Sequence, residues 1–436
     1  MGIQSKYKSK PLDCWQKGKE LRLNYYKSLI TAREEGRLLV SGSGASCLAL
    51  PAGLGDFVYF SGEPYGASIG YDPAFSLEAM EAAEARGYAR DMCGYMRNYW
   101  GSMFLDRYYF GGPFPKPDFF LTRHLCDAGH GKWYQVCKEY YDVPLFVYEQ
   151  PVTPPGVRFE DVIEYLASQL YDSIEWMEKI TGRKYDDEKL IEASRNFFKS
   201  EALWGEICLL NQAIPAPLDL KSELALMPIA IGIRHQPEAV AFYEALRDEV
   251  KDRIANQIAA VGDERCRLMT DLTPPWNFLK MFRYFEKYGV VFVGIWVYCI
   301  NSGQIEIRED GVVLPAKTPE ERNMPLNNRA DALRAIALWH LESPLSQAFS
   351  SPKRKAFDII ALAKYWRCEG VVMHYNRGCP LCTLGSPEAK LELQKAGFPV
   401  AIYEGNFADF RELDESQVLD RLETFIQSLG LSKLED

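Results

Sequence analysis

The stretch PDFFLTRHLCDAGHGKWYQVCKEYYDVPLFVYEQ, residues 117–150, indicates the fold of this chain most directly. An apolar run at 117–123 leads into a loop, then into the helical pattern of 132–141, and then into a second apolar run at 143–150. Strands that alternate with helices in this way form parallel sheets covered by helices. This segment therefore predicts an α/β unit.

Short apolar runs on both sides of this segment extend the pattern. Two runs upstream predict further strands of a first lobe, and four runs downstream, separated by helical patterns, predict a second lobe. The segment between the lobes is almost wholly helical, and PVTPPGVRF (151–159) is the best candidate for a hinge because proline and glycine interrupt regular structure. The predicted strands lie at 38–43, 56–62, 265–272, 290–297, 370–376 and 399–406.

We predict an α/β fold with two parallel-sheet lobes joined by a helical segment. The N-terminal segment contains an amphipathic helix over 17–37, and the Ala/Arg/Met-rich stretch 76–99 predicts another helix. The predicted division of the chain is an N-terminal helical segment (1–36), a first α/β lobe (37–155), a helical segment (156–260) and a second α/β lobe (261–436).

Composition narrows the classes of protein. The 436 residues carry 50 Lys and Arg against 60 Asp and Glu, a net charge of −10, which argues against a general nucleic-acid-binding protein. The longest apolar run, Val290 to Ile300, is too short to span a bilayer, so we predict no membrane segment. The N-terminus has no apolar signal region, and we expect a cytoplasmic protein. In that setting the 11 cysteines do not predict a disulfide framework.

Two of these cysteines follow predicted strands, one in each lobe. Cys126 comes after the run at 117–123 and Cys379 after the run at 370–376. Parallel sheets bind ligands at the carboxyl ends of their strands, and a following helix N-terminus favours the thiolate. Cys93 lies in the predicted helix 76–99, which could cross the same sheet end. Three converging thiolates would suit an iron–sulfur cluster or a zinc ion, although the spacing lacks a compact cysteine motif and convergence by chance stays open.

Cys382 completes a C-P-L-C motif with Cys379. One such motif can bind a metal, form a redox pair or arise by coincidence. A thioredoxin-like role is less well supported, because the motif stands late in a long chain. His124 and His130 flank Cys126 and are potential ligands or ordinary polar residues. Glu63, in the glycine-rich FSGEPYG, is either an acid–base group or the cap of a turn. No phosphate-binding loop for ATP is present.

Three longer motifs around these cysteines carry a family resemblance. ARGYARDMCGYMRNYWGS (85–102), FFLTRHLCDAGHGKWYQV (119–136) and HYNRGCPLC (374–382) with KLELQKAGFPVAIYEGNFADFR (390–411) resemble the 2-hydroxyacyl-CoA dehydratase and benzoyl-CoA reductase superfamily. The resemblance covers nearly the whole chain. It is strongest to the B-type subunit of ATP-dependent (class I) benzoyl-CoA reductase.

The resemblance implies two Rossmann-like (flavodoxin-like) lobes with a [4Fe-4S] cluster between them. Matched motif by motif, Cys93, Cys126 and Cys379 would be the cluster ligands, and the fourth iron would take a ligand from outside the protein. Cys382 departs from the family pattern and is the alternative third ligand.

The resemblance also implies an activity and partners. The expected reaction is the ATP-driven, two-electron reduction of benzoyl-CoA to cyclohexa-1,5-diene-1-carbonyl-CoA. A related cluster-bearing C-type subunit would complete a heterodimer, an ATP-hydrolysing activator would supply electrons, and ferredoxin would act upstream, so that ATP is used only through a partner. The aromatic motifs YMRNYW (95–100) and RYYFGGPF (107–114) could form a slot for a planar ring. The alternatives are an (R)-2-hydroxyacyl-CoA dehydratase subunit and an electron-relay protein without its own substrate site.

Overall fold

A computed structural model of the chain describes residues 5–44, 46–126, 130–151 and 156–434. Its first part contains a four-stranded parallel sheet. Three strands are buried on both faces, as expected for a sheet covered by helices on each side, and the edge strand at 145–149 is half-buried. The elements of this part are β1 (Lys8–Ser9), α1 (Trp15–Thr31), β2 (Leu38–Gly42), β3 (Phe57–Ser61), α2 (Gly62–Gly70), α3 (Pro73–Glu84), α4 (Gly94–Phe104), β4 (Phe119–His124), α5 (His130–Tyr141) and β5 (Leu145–Glu149).

A helical segment follows, and residues 152–155 of the predicted hinge lie outside the described ranges. No helix within those ranges is both long and apolar enough to cross a lipid bilayer. The segment ends in a short strand that pairs in parallel with β1, so the N-terminus is tied to it. Its elements are α6 (Phe159–Thr181), α7 (Asp187–Leu210), α8 (Leu220–Leu226), α9 (Pro228–Gly232), α10 (Pro237–Ala255) and β6 (Ile258–Ala259).

The last part contains a second four-stranded parallel sheet and a short antiparallel hairpin. Its elements are β7 (Cys266–Thr270), α11 (Lys280–Tyr284), β8 (Val290–Ile295), α12 (Trp296–Asn301), β9 (Ile305–Ile307), β10 (Val313–Pro315), α13 (Arg329–Glu342), α14 (Pro344–Ser350), α15 (Pro352–Tyr365), β11 (Gly370–Asn376), α16 (Pro380–Thr383), α17 (Ser386–Lys395), β12 (Val400–Gly405) and α18 (Glu415–Ser428). Each of the eight predicted strands is thus confirmed, with ends that differ by a few residues.

The strand order of each sheet positions the site. The first sheet runs β3-β2-β4-β5 and the second runs β12-β11-β7-β8. In both sheets the chain adds strands first to one side and then to the other, so the order reverses between β2 and β4 and between β7 and β11. At such a reversal the connecting segments diverge and leave a crevice at the carboxyl ends of the two strands. Each lobe therefore offers one ligand-binding crevice.

The prediction of a single helix over 76–99 is wrong in one respect. The structure divides it into α3 and α4, and Cys93 lies immediately before α4 rather than inside a helix. Gly87 has a φ of +89°, a conformation that L residues rarely adopt, and its amide donates to the carbonyl of Glu84 at 2.9 Å. A glycine in this conformation ends a helix by satisfying its last carbonyls. The break places Cys93 in a turn at the start of α4.

Gly101 sets the distance between α3 and α4. A Cβ at Gly101 would lie 1.7 Å from the backbone oxygen of Ala79. Because backbone atoms cannot move aside, we expect Gly101→Ala to lower the free energy of unfolding in urea by about 2 kcal/mol. The control is Gly70→Ala in α2, where the nearest atom to an added Cβ is 3.4 Å away and stability should change little. Equal stability of the two variants would contradict this packing.

Candidate active site between the two sheets

One cavity of about 620 Å³ lies at the carboxyl ends of the two sheets and is lined by residues of both lobes. A cavity of this size is typical of small-molecule sites. All the predicted site residues line it: Glu63, Cys93, Cys126, Cys379 and Cys382. The structure therefore brings together side chains that are separated by more than 300 positions in the sequence.

The strand reversals explain why these residues meet. Gly44 follows β2 and Cys126 follows β4, which are neighbours in the first sheet. In the second sheet Asp271 follows β7 and Cys379 follows β11. Asp271 is fully buried and accepts the amide hydrogen of His374 at 3.0 Å, and burial raises the pKa of Asp271 to about 6. The crevice of each lobe thus supplies one of the predicted cysteine ligands.

Cys93 is held by a buried ion pair that joins the lobes. Arg97, in the first turn of α4, donates from Nε to the carbonyl of Met92 at 3.1 Å and from Nη1 to Asp409 Oδ2 at 3.1 Å. Both side chains are fully buried. Burial alone would raise the pKa of Asp409, but the hydrogen bond from Arg411 and the charges of Arg97 and Arg411 hold it below its usual range. The turn before α4 is therefore fixed to the segment after β12.

Two glycines allow the Cys93 and Cys379 segments to approach each other. A Cβ on Gly94 would lie 2.8 Å from Asn406 Oδ1, and a Cβ on Gly378 would lie 3.0 Å from the carbonyl oxygen of Met92. Gly378 also has a φ of +75°. Each glycine is next to a predicted ligand. A larger residue at Gly378 would push the two cysteine segments apart, and one at Gly94 would push the Cys93 segment away from the residues that follow β12.

Two thiols of the site, those of Cys93 and Cys379, stay protonated in the chain alone. Burial raises the pKa of Cys93 to about 12, and the neighbouring Cys379 adds to the rise. The pKa of Cys379 lies well above its usual value because of its interaction with Cys382 and its burial. For Cys379 in the chain alone, the interaction with Cys382 and the loss of solvent outweigh the expected effect of a helix N-terminus, which would favour the thiolate. A bound metal reverses this balance, since a coordinating thiol is deprotonated.

The side chains at the site are of the kind that binds a metal group. Three thiols from two lobes face one cavity, and thiolates are the ligands of iron–sulfur clusters. Among the residues that the structure describes, no three His, Cys, Asp or Glu side chains are grouped as they would be around a single metal ion. Both the cluster and its ligand set stay predictions. The side chain of His130 lies outside the described part of the chain.

Cys382 lies in α16, and its segment is held by a buried lysine. Lys355, on α15 and 3% exposed, donates from Nζ to the carbonyl of Cys382 at 2.6 Å and to Ser386 Oγ at 2.9 Å. Burial lowers the pKa of Lys355, while the charges of Asp271 and the two cysteines oppose that change. Sequence reasoning missed Lys355, because nothing in its local pattern separates it from the exposed lysines of α15.

Glu63 holds a turn, as one of its two predicted roles requires, and its acid–base role stays a prediction. It lies in the first turn of α2, where its Oε1 accepts a hydrogen bond from Ser43 Oγ at 2.7 Å and its Oε2 accepts one from the Gly44 amide at 2.7 Å. It therefore fixes the turn after β2, and it also lines the cavity. A carboxylate held in this way is positioned to exchange protons with a bound ligand.

Aromatic side chains form much of the cavity wall. Of the residues predicted to form an aromatic slot, Tyr95, Tyr109 and Phe110 line the cavity, whereas Tyr99 and Trp100 are buried in the core. The second lobe adds aromatic residues that sequence reasoning missed, Trp276 and Tyr298 among them. These two follow β7 and β8, so their place after buried strands was the available signal.

Hydrogen bonds link the aromatic groups of the two lobes. The hydroxyl of Tyr95 accepts a hydrogen bond from Trp276 Nε1 and lies 3.3 Å from the hydroxyl of Tyr298. Burial raises the pKa of both tyrosines, so both hydroxyls stay protonated. The rings of Tyr95 and Phe407 also contact each other across the lobes, with centroids 4.0 Å apart and an angle of 53° between the ring planes.

Three cations complete the cavity lining: Arg22, Lys221 and Lys280. The side chain of Lys280 is 72% exposed, so this side of the cavity reaches solvent. An apolar interior with cations near solvent suits a ligand that has an apolar end and an anionic end.

Comparison with known proteins agrees with this geometry. The family described as "2-hydroxyglutaryl-CoA dehydratase, D-component" matches residues 59–429, which include all the predicted site residues. The chain belongs to this family.

The chain is also similar to subunits of 2-hydroxyacyl-CoA dehydratases and of a benzoyl-CoA reductase. The chain is 26% identical to the (R)-phenyllactyl-CoA dehydratase alpha subunit of Clostridium sporogenes, over 79% of this chain and 78% of the relative. It is 24% identical to the (R)-2-hydroxyisocaproyl-CoA dehydratase alpha subunit of Clostridioides difficile, over 94% of each chain. It is also 24% identical to the B-type subunit of the benzoyl-CoA reductase of Thauera aromatica, over 79% of this chain and 78% of the relative. These values confirm the superfamily but do not distinguish dehydratase from reductase.

The contacts of Lys355 give a prediction. Replacing it by methionine leaves the carbonyl of Cys382 and the Ser386 hydroxyl without their charged donor, so we expect Lys355→Met to lower the free energy of unfolding by about 2 kcal/mol. It should also speed alkylation of Cys382 by iodoacetamide, followed by mass spectrometry. Lys364→Met, at an exposed position of the same helix, is the control. Equal alkylation rates in the two variants would show that Lys355 does not hold this segment.

Proposed function

We propose that this chain is the cluster-bearing subunit of a benzoyl-CoA reductase, which reduces the aromatic ring of benzoyl-CoA by two electrons and two protons to cyclohexa-1,5-diene-1-carbonyl-CoA. The observation that carries the proposal is the convergence of Cys93, Cys126 and Cys379 on one aromatic-walled cavity. Superfamily membership supports an acyl-CoA substrate, and the lining of the cavity supports an aromatic acyl group.

The three cysteines would hold a [4Fe-4S] cluster, with Cys382 as the alternative to Cys379. When bound, such a group supplies low-potential electrons, which an arene requires because its reduction is very unfavourable. The chain contributes thiols that burial keeps protonated until a cation displaces the protons. It also contributes a largely apolar environment that keeps water from the site.

The aromatic wall would bind and orient the ring. Tyr95, Trp276 and Tyr298 form a linked set of buried groups from both lobes, and aromatic rings pack edge to face or offset against a planar substrate. Neutral hydroxyls of Tyr95 and Tyr298 could donate hydrogen bonds to a thioester oxygen that gains negative charge. The cations Arg22, Lys221 and Lys280 would meet the phosphates of the CoA portion.

Glu63 is the proposed acid–base group. Its carboxylate lines the cavity and is held by Ser43 and Gly44, so its position is fixed when a ligand enters. Proton transfer by a positioned carboxyl group contributes about 100- to 10,000-fold in rate. Ring reduction needs protons delivered without open access to water, which suits a carboxyl group inside the cavity.

A second candidate is an (R)-2-hydroxyacyl-CoA dehydratase subunit, which the names of two of the reported relatives favour. Either activity would use the same cysteines and the same acyl-CoA. We propose that the chain works with a related C-type subunit, because the relatives are named as subunits. An ATP-hydrolysing activator and ferredoxin would supply the electrons.

The ligand assignment gives a prediction for cluster retention. Cys93→Ser, Cys126→Ser and Cys379→Ser should each lose most of the iron and acid-labile sulfide of the protein purified without oxygen, because serine is a poor ligand for such clusters. The matched control is Cys382→Ser, which should retain them. Loss of iron in Cys382→Ser together with retention in Cys379→Ser would reverse the choice of third ligand.

The activity is tested with the partner subunit and the activator present. We expect ATP- and reductant-dependent consumption of benzoyl-CoA with formation of the dienoyl-CoA, measured by chromatography, and at least a 100-fold lower rate for Glu63→Gln. Release of water from an (R)-2-hydroxyacyl-CoA without consumption of benzoyl-CoA would favour the dehydratase. Failure of every acyl-CoA to bind in calorimetry would leave an electron-relay role.

A further inference from the structure

A buried arginine that forms no ion pair with the described residues lies behind the cavity. Arg123, in β4, is only 4% exposed. Its side chain forms no ion pair with the described residues, and its Nε has no hydrogen-bond partner among them. A buried charge costs several kcal/mol unless it is paired. No described residue forms the ion pair that would offset the unfavourable burial of the Arg123 guanidinium group.

A second buried arginine increases the positive charge. Arg234, 1% exposed, pairs through Nη1 with Glu201 and donates from Nη2 to the carbonyls of Gly44 at 2.7 Å and Ser46 at 2.9 Å. Its charge lies close enough to Arg123 to lower the pKa of Arg123, in addition to the larger effect of burial. The two arginines are thus an electrostatically unfavourable pair that the fold holds together.

Glu201 cannot neutralise both arginines. Its Oε1 pairs with Arg234, and its Oε2 accepts a hydrogen bond from Trp339 Nε1 at 2.6 Å. His340 is also buried here, and its pKa lies well below its usual value because of burial and the charges of Arg123 and Arg234, so the ring is neutral. Among the groups that line the gap, two guanidinium groups therefore face one carboxylate.

A small gap lies beside these groups. It has a volume of about 20 Å³ and is lined by Arg123, Arg234, Glu201 and His340, with Asn301 and Ser343 on other sides. Such a volume is enough for one water molecule or one monatomic ion. Nδ1 of His340 and Nε of both arginines lack partners among the described residues. The gap is therefore rich in hydrogen-bond donors.

We propose that Arg123 and Arg234 bind one small monovalent anion of the size of chloride in this gap. A water molecule would satisfy hydrogen bonds but would leave the positive charge uncompensated, whereas a halide does both. Asn301 lines both the gap and the main cavity, so the anion lies directly behind the active-site wall. The site joins β4, α7, α12 and α13, and the anion would stabilise the junction between the first sheet and the helices around it. This inference is independent of the proposed function.

Thermal unfolding of the full chain tests the site, with chloride replaced by gluconate at constant ionic strength. We expect the melting temperature to rise saturably with chloride, with an unfolding equilibrium constant about 100-fold lower at 100 times the dissociation constant. Arg123→Gln should abolish the saturable response. The control is Arg308→Gln, at an exposed arginine paired with Asp310, which should keep it.

A second measurement decides the matter even if Arg123→Gln does not fold. Crystals of the wild-type protein grown with bromide should show an anomalous peak within hydrogen-bond distance of Arg123 and Arg234. A melting temperature that does not respond to halide, or a gap without anomalous signal at saturating bromide, would show that water occupies the gap and would overturn the proposal.

Discussion

The buried ion pair between Arg97 and Asp409 is the interaction on which the site depends. Both side chains are fully buried, and they belong to a network in which Arg97 also pairs with Glu84 and Asp409 also pairs with Arg411. Breaking a buried, hydrogen-bonded ion pair by removing one partner is strongly destabilising. The pair joins the first turn of α4 to the segment after β12. Asn406 lies in the same segment after β12 as Asp409, close to Gly94 and Gly378, which are next to Cys93 and Cys379. The ion pair therefore helps to hold two cysteine segments from different lobes in place.

The second constraint is the direction of the two sheets. Their carboxyl ends border one cavity, so residues that follow β2, β4, β7 and β11 meet there although they are far apart in sequence. The fold places protonated thiols in this space. Behind the cavity wall it buries two further ionisable groups, the partly unsatisfied Asp271 and Lys355, which holds the Cys382 segment. Clusters of perturbed ionisable groups in a cavity are typical of functional sites. The energetic cost is offset by the packing of two covered sheets.

The strands could be predicted from sequence because each is an apolar run long enough for a buried strand, as in 290–297. The break between α3 and α4, before Cys93, could not be predicted from sequence, because it depends on the conformation of Gly87 rather than on hydrophobic periodicity. The meeting of Cys93 with Cys379 depends on sheet order and on glycine contacts across the lobes, which no local pattern encodes. Trp276, Lys355 and Arg123 were missed because their burial is set by distant elements. The family resemblance is confirmed, whereas the cluster and its ligands stay predictions.

The most direct test of the account is iron and acid-labile sulfide analysis of the wild-type chain purified without oxygen, combined with Mössbauer spectroscopy. We expect about four iron and about four sulfide per chain, with the spectrum of a [4Fe-4S] cluster. Stoichiometric zinc without labile sulfide, or a chain that binds no metal after anaerobic reconstitution, would contradict it.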